Sequence, residues 1–508
     1  MCASSKHVVW PVSDWGVRVG WDADQSPPRA QYHTIHVPYE PLTTPRIRLD
    51  EEGIRYPDAV DLQPRLAVSW EPDDGYRSWT VTLREGVLSH AGNELRAEDV
   101  KWSWQRTYAL RGVGLWRSRR IGGLDNAETD VDVLDERRVR FRLVGPNPQF
   151  PAYLVFATSN IVDSTEARRH ATDEDPWASG WLSDNVAGFG QFRLLRQGDD
   201  ALEFQARDDH WMGKPGIDSL THVAVPDRES GLRMLHRGDV NFAPGLYPEE
   251  LSRFEGRRDF TTHRVRANHS TLEFNWLEPP FDDRNVRHAV RAALPYERIL
   301  RQVYHGYARP NVSPICSTSE FHDPSLWEPA TDLERARALM RESSYPDGFE
   351  TELWIRETYE SLRLASIVQE ALAEIGIRVQ TRVDMPRRFG AIYPMWFREE
   401  CGHALYEPMY DLGHDYDPAR GAFGGQVIRN ERWTEPRKAI RLADAAEQPR
   451  LYREIQREIL DFAPCVHIAE IDTGWALRAD VDPWALDPAF LSASTTVWSA
   501  HRQIMGWW

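Results

Sequence analysis

Four stretches between residues 62 and 104 decide the reading of the fold. They are Leu62-Gln63-Pro64-Arg65-Leu66-Ala67-Val68-Ser69-Trp70-Glu71, Trp79-Thr80-Val81-Thr82-Leu83-Arg84-Glu85-Gly86-Val87, His90-Ala91-Gly92 and Ala97-Glu98-Asp99-Val100-Lys101-Trp102-Ser103-Trp104. Trp79, Val81 and Leu83 fall on one face of an extended chain, with Thr80 and Thr82 on the other, so this segment reads as a half-buried strand. Ala91-Gly92-Asn93 is a turn. After it, Glu98 and Asp99 place acids in a first helical turn, where the helix dipole favours them, so Ala97 opens a helix.

Outward from this run, Val8 to Trp21 is apolar and β-leaning, followed by a loop through Ser26, Pro27 and Pro28 and then by Tyr39-Glu40-Pro41-Leu42. Val131 to Leu143 reads as a hairpin turning at Asp135-Glu136. The second half carries clearer helices. Val286 to His305 is amphipathic and stops at Gly306. Thr331-Asp332-Leu333-Glu334 is a capping box that opens a helix holding Ala336 and Leu339. Leu364, Ile367, Val368, Ala371, Leu372 and Ile375 lie at helical spacing, and Gly376 stands where a helix commonly ends. Ile377, Val379, Thr381 and Val383 then alternate as a strand. Leu451, Ile455 and Ile459 form another helical stripe. Helix, glycine, then strand is the grammar of α/β lobes.

With 508 residues, 41% hydrophobic and 27% charged, the chain has the composition of a large globular protein of about three domains. No stretch approaches the roughly 20 apolar residues of a membrane helix. A net charge of −17 excludes nucleic acid as the main partner, because phosphate binding needs a basic face. The same balance tolerates cationic or zwitterionic ligands. The 21 tryptophans supply flat amphipathic surface, which serves a ligand cleft or fills a core. None of Cys2, Cys316, Cys401 and Cys465 stands in CxxC spacing, and one disulfide among the last three is open. Met1-Cys2-Ala3-Ser4-Ser5 reads either as the head of a mature lipoprotein, lipidated on Cys2, or as an ordinary cytosolic start.

The 62–104 run, in its order, resembles the signature region of the extracytoplasmic solute-binding proteins of ABC importers, in the cluster of peptide- and nickel-binding members (bacterial solute-binding protein family 5). Arg96 stands where that family usually has Thr before Ala-Glu-Asp-Val. Further matches are Ala187-Gly188-Phe189-Gly190-Gln191-Phe192, a changed form of Gly-Thr-Gly-Pro-Tyr, and Arg207-Asp208-Asp209-His210-Trp211 with Gly213-Lys214-Pro215. Then come Asn275, Pro279-Pro280-Phe281, Asn285-Val286-Arg287-His288-Ala289-Val290 and Gly306-Tyr307-Ala308. Tyr345-Pro346-Asp347-Gly348-Phe349 and Asp415-Tyr416-Asp417-Pro418 complete the series. The resemblance implies an α/β, two-lobed periplasmic-binding-protein fold of type II with an additional α+β domain. One binding lobe is expected from residues 1–45, 187–273 and 474–508, the extra domain from 46–186 and the other lobe from 274–473. It further implies no catalytic residues and no cofactor or metal. The protein would be a monomer that closes on a peptide or other small ligand and passes it to an ABC permease.

In peptide-binding relatives an Asp in Trp-x-x-Asp-Tyr holds the ligand's amino terminus. Asp415 matches it, followed by Tyr416; a one-residue gap would put His414 there instead. Leu412 replaces the family Trp. Around them lie Glu399, Glu400, Glu407, Asp411 and Asp417, with no Lys or Arg between Arg398 and Arg420. A carboxylate in a partly dry cleft attracts an ammonium or guanidinium group, so a ligand with a positive end is expected. Asp22, in Trp21-Asp22-Ala23-Asp24, and Tyr39 stand where the family contributes contacts from the first lobe. Trp396 and Trp354 are candidates for stacking.

Other readings stay open on the residues alone. No GxSxG, HExxH, Walker loop or GxGxxG supports an enzyme, although a cytosolic family member recruited for biosynthesis or as a ligand sensor remains an alternative. Cys401, His403, His414 and Asp415 are zinc-ligand types, as are His33 and His36, but nothing in their spacing makes them converge. An oligosaccharide ligand would use the tryptophans, and a nickel or metal-chelate ligand would use His403 or His414. An extracytoplasmic location follows from the resemblance, and a cytoplasmic one if Met1 is the true start.

Overall fold

The computed structural model describes residues 7–12, 21, 37–111, 114–115, 118–155, 161–383, 393–402, 408, 412, 432–444 and 446–481. These divide into two compact units. The first takes those within Met1–Leu246 and Phe254–His263 and those from Gly474 onward; the second takes Tyr247–Arg253 and those within Arg264–Thr473. Two long strands, Phe260–Phe274 and Cys465–Arg478, each contribute residues to both units.

The first unit holds two four-stranded sheets. One runs in the order His7–Val12, Ser219–Ala224, Ala201–Ala206, Phe192–Gln197; its first pair is parallel and the others antiparallel. The second orders Ala67–Pro72, Ser78–Leu83, Arg138–Arg142 and Val131–Val133, all antiparallel. Its alternation is the one read from sequence: Trp79, Val81 and Leu83 are buried, while Thr80 and Thr82 lie on the more open face. The 131–142 hairpin turns as expected, with Asp135 Oδ1 accepting from the backbone N–H of Arg137 and Arg138. The helix Ala97–Leu110 begins where its acids place it. With Arg96 in the Thr position, Asp99 closes the helix start by accepting from the Arg96 N–H.

The second unit packs helices on a mixed sheet. Phe349–Ile355 is parallel to both Ile377–Val383 and Met395–Gly402, and the last is antiparallel to Phe260–Phe274. The helix Tyr359–Ala373 follows the sequence stripe, burying Leu364, Ile367, Val368, Ala371 and Leu372, and Gly376 beyond it takes φ +85°. The helix Gln448–Phe462 buries Ile455 and Ile459 as the stripe requires.

Three local readings change. The helix expected over 286–305 is two, Arg284–Ala293 and Tyr296–Gln302. Pro295 has no N–H to donate and forces Leu294 out of the helical region, to ψ 132°. The cap of the helix Leu333–Glu342 is Asp332, whose side chain accepts from the Arg335 N–H; Thr331 instead donates to the Leu294 carbonyl. Cys316 and Cys465 are buried and neither is in a disulfide, and every pairing the sequence left open needs one of them.

Candidate ligand-binding site

Four of the six expected ligand contacts, Asp22, His414, Asp415 and Tyr416, lie outside the described residues, as do His33, His36 and His403 and the side chain of Cys401. The other two fall in different units. Trp396 belongs to the second. In its strand, Met395 and Phe397 face the hydrophobic core, so Trp396 and Arg398 face the other way. Trp396 stands opposite Glu273 on one neighbouring strand and Trp354 on the other, and Arg398 stands opposite Thr271. Glu273 accepts from the Thr271 hydroxyl at 2.6 Å and lies 3.6 Å from Arg398 Nη1. Trp354 packs on Tyr393 at 4.8 Å, and its indole N–H donates to Glu352, which also takes Arg382. Three aromatic rings flanked by charges of both signs therefore share one sheet face. The strand that carries Trp396 and Arg398 runs directly into the acidic 399–417 segment. Trp396 and Tyr393 are buried and Trp354 is half-buried, so Trp354 offers the open ring surface of this face, which can stack on an apolar side chain or a sugar ring.

Tyr39 belongs to the first unit and is buried there. Its hydroxyl accepts from the Ala187 N–H at 3.2 Å, and its ring meets the backbone at Gly188. The residues that carried the family resemblance converge beside it. Glu40, 2% exposed, accepts from Arg65 at 3.0 Å and from the Trp211 indole at 3.1 Å, and His210 lies 3.3 Å away. Burial alone would push the Glu40 carboxyl up, but Arg65, helped by His210 and Trp211, holds it below the usual carboxylate range. Arg207 donates to the carbonyls of Gly190, Leu88 and Ser89. Asp163 accepts from Ser89 and Asn93, and Asp99 from the Ser164 hydroxyl and N–H. The signature is thus a set of joints between the 62–104 run, the start of the helix Ser164–Arg169 and the 187–211 segment.

Sequence reading missed a row of buried charges in the second unit. Asp472, fully buried, accepts from Arg266 at 2.9 Å and from Arg264 at 2.5 Å. Arg264 also lies over the Tyr307 ring, 4.6 Å from its centroid. Glu470 takes the Ser317 N–H at 2.7 Å and Arg309 at 2.8 Å. These are buried charges with partners at hydrogen-bond distance, where the chain leaves the second unit. Charged letters in a strand read as its solvent face, so no sequence signal marked them. No group of three or more His, Cys, Asp or Glu residues placed to hold a metal occurs among the described residues.

A model of bacterial extracellular solute-binding proteins, family 5 (Middle), matches residues 61–422. Over 463 residues the chain is 26% identical to the dipeptide-binding protein of Escherichia coli strain K12, covering 84% of each. Among solved structures, the ABC transporter-associated periplasmic binding protein DppA from Helicobacter pylori, in complex with peptide STSA, aligns with a TM-score of 0.78. The identity is 20%, over 97% of this chain and 98% of that one. NikZ from Campylobacter jejuni, in complex with Ni(L-His), aligns at 0.74 with 18% identity and 94% of each chain. These likenesses show the fold, the α/β two-lobed fold of periplasmic binding proteins.

Proposed function

The chain belongs to family 5 of the bacterial extracellular solute-binding proteins, and from that premise we propose that it is the substrate-binding component of an ABC importer. It closes its lobes on a peptide or other amino-bearing small ligand and delivers it to a membrane permease. The observation that carries this reading is the family match across 61–422, within which the acidic 399–417 segment supplies the countercharge for an amino group. Asp415 is the proposed partner of that group, with His414 its substitute should the alignment slip by one. Tyr416, Trp396 and Asp22 are the further proposed ligand contacts. Tyr39 is a further proposed ligand contact, and its hydroxyl accepts from the Ala187 N–H. The protein acts outside the cytoplasm, as a monomer beside its permease.

The first test is mass spectrometry of gently purified protein, native and then denatured. A released short peptide supports the proposal; a released oligosaccharide replaces it and assigns the Trp354, Tyr393 and Trp396 face to sugar stacking. The second is calorimetry with the peptide so identified. Asp415→Asn leaves an ammonium without its countercharge and is expected to weaken binding by more than about tenfold. The N-acetylated peptide should bind both proteins alike. Unchanged affinity for the free peptide would remove Asp415 from the site.

A further inference from the structure

A polar pocket lies wholly within the first unit, and none of the residues assigned above to the ligand is among its lining. It has a volume of about 570 Å³ and is lined by Val68, Thr82, Leu83, Arg84, Glu85, Asp135, Arg137 and Arg138. Its making is local. The pairing of Ala67–Pro72 with Ser78–Leu83 slips between Ala67 and Ser69, so Val68 stands unpaired as a bulge and is 40% exposed. A bulge twists its strand and opens the sheet at that point. The other wall is the 131–142 hairpin turn, tied down where the Leu83 N–H donates to the Arg137 carbonyl at 2.7 Å.

The charges of this pocket are not balanced. Glu85 pairs with Arg137, and Asp135 with Arg138 at 2.7 Å. Asp135 also holds two backbone N–H groups, so both carboxylates are engaged. Each of the two arginines turns one edge to its acid. Arg84 has no carboxylate within 4.0 Å among the described residues. Its Nε donates to the Arg65 carbonyl at 3.1 Å, and its guanidinium carbon lies over the Trp211 ring, 3.9 Å from the centroid. Three guanidinium groups thus face two carboxylates, a local surplus of +1 on a chain whose net charge is −17. The cation that carries the surplus is half-buried and held against the Trp211 ring. Such a group has lost part of its hydration and presents its two Nη edges as a preformed fork.

We propose that this pocket binds a small free oxyanion, phosphate or a short carboxylate, through Arg84, with Arg137 and Arg138 closing around it and the Thr82 hydroxyl as a further donor. The site is independent of the transport ligand, and the proposal does not rest on the function given above.

Inorganic phosphate is the probe. Titrated into the whole protein at constant ionic strength, it should quench or shift tryptophan fluorescence saturably in the millimolar range, because Trp211 lies under Arg84. Chloride at equal ionic strength should not. Arg84→Gln should abolish the saturable change. Arg137→Gln/Arg138→Gln, at exposed positions that leave the fold intact, should weaken it by threefold or more. A phosphate response no larger than that of chloride, or one retained in full by Arg84→Gln with its Tm unaltered, overturns the proposal. If Arg84→Gln does not fold, the double variant decides alone, and an unchanged phosphate affinity there overturns it.

Discussion

His222 sits in the middle of the strand Ser219–Ala224 with its ring 4.6 Å from Trp10 and 5.4 Å from Phe204. It is fully buried, and neither ring nitrogen has a hydrogen-bond partner among the described residues. Burial pulls its pKa down to about 3, so the ring is neutral at any physiological pH. A neutral imidazole among aromatic rings packs as a small flat ring and leaves two polar atoms dry. An unsatisfied buried polar group costs about 1–3 kcal/mol. His222→Phe removes the polar atoms but puts a larger six-membered ring in a fully buried site, so the net gain should be about 0.5–1 kcal/mol at pH 7, read from the denaturant midpoint at unchanged m. A loss of stability instead would show that a nitrogen has a partner or that the larger ring does not fit. Nothing in the sequence marks this residue. Thr221-His222-Val223 is an ordinary strand segment, and only the assembled sheet places the ring between Trp10 and Phe204.

At the scale of elements, the changed Gly-Thr-Gly-Pro-Tyr motif explains which of its letters matter to the fold. Here it reads Ala187-Gly188-Phe189-Gly190-Gln191-Phe192, and the two glycines survive. A Cβ on Gly188 would fall 2.0 Å from the Pro38 carbonyl oxygen, and one on Gly190 would fall 2.5 Å from the Pro38 carbonyl carbon. The obstacle in both cases is backbone, which cannot swing aside. Gly188→Ala should therefore destabilise by about 1–3 kcal/mol and loosen the Tyr39 contact, seen as a lower Tm and faster amide exchange at Ala187. A Tm within a degree of the parent would mean that the Pro38 backbone yields. Much of the element pattern was legible in sequence because it rests on periodicity: the 78–83 strand, the 359–373 helix with its glycine, the 131–142 hairpin. The errors came where a rule with one signal met a competitor. The stripe over 286–305 outweighed Pro295, and Thr331 in a capping-box pattern outweighed Asp332 one residue later. The candidate site was less legible than the fold. Its charges lie in strands, and alternation cannot say whether Glu273, Arg398 or Asp472 faces water, a partner or a ligand.

On the scale of the whole molecule, several buried groups make the fold sensitive to acid in a direction that can be worked out. Burial is the first cause in four histidines. It lowers His90 to about 3, where Arg207 adds repulsion, and His222 also to about 3. It lowers His263 to about 4, with Arg55 adding to it, and His288 to about 4, with Arg291 adding to it. Each is neutral in the fold and titrates near 6.5 once unfolded. Between pH 6.5 and about 4 the unfolded chain therefore binds protons that the folded chain refuses. Stability is fully present above pH 6.5 and falls as pH drops through this window. Asp99 opposes the trend. Burial raises it to about 6, so its proton is held more tightly in the fold, and its share is lost as pH rises from about 4 to 6. One group against four leaves the histidines dominant; His222 and His90, the most deeply buried, count most, and His263 and His288, partly open to solvent, count less because water screens them. The Tm of the protein should accordingly fall steadily from pH 7 to pH 4.5. In His222→Phe the fall should be shallower by the share of one proton, while the Tm at pH 7 is higher. A flat profile between pH 6.5 and 4.5 would mean that these rings accept protons without unfolding, and therefore that water reaches them. Parallel profiles for parent and His222→Phe would locate the acid sensitivity in the other three rings.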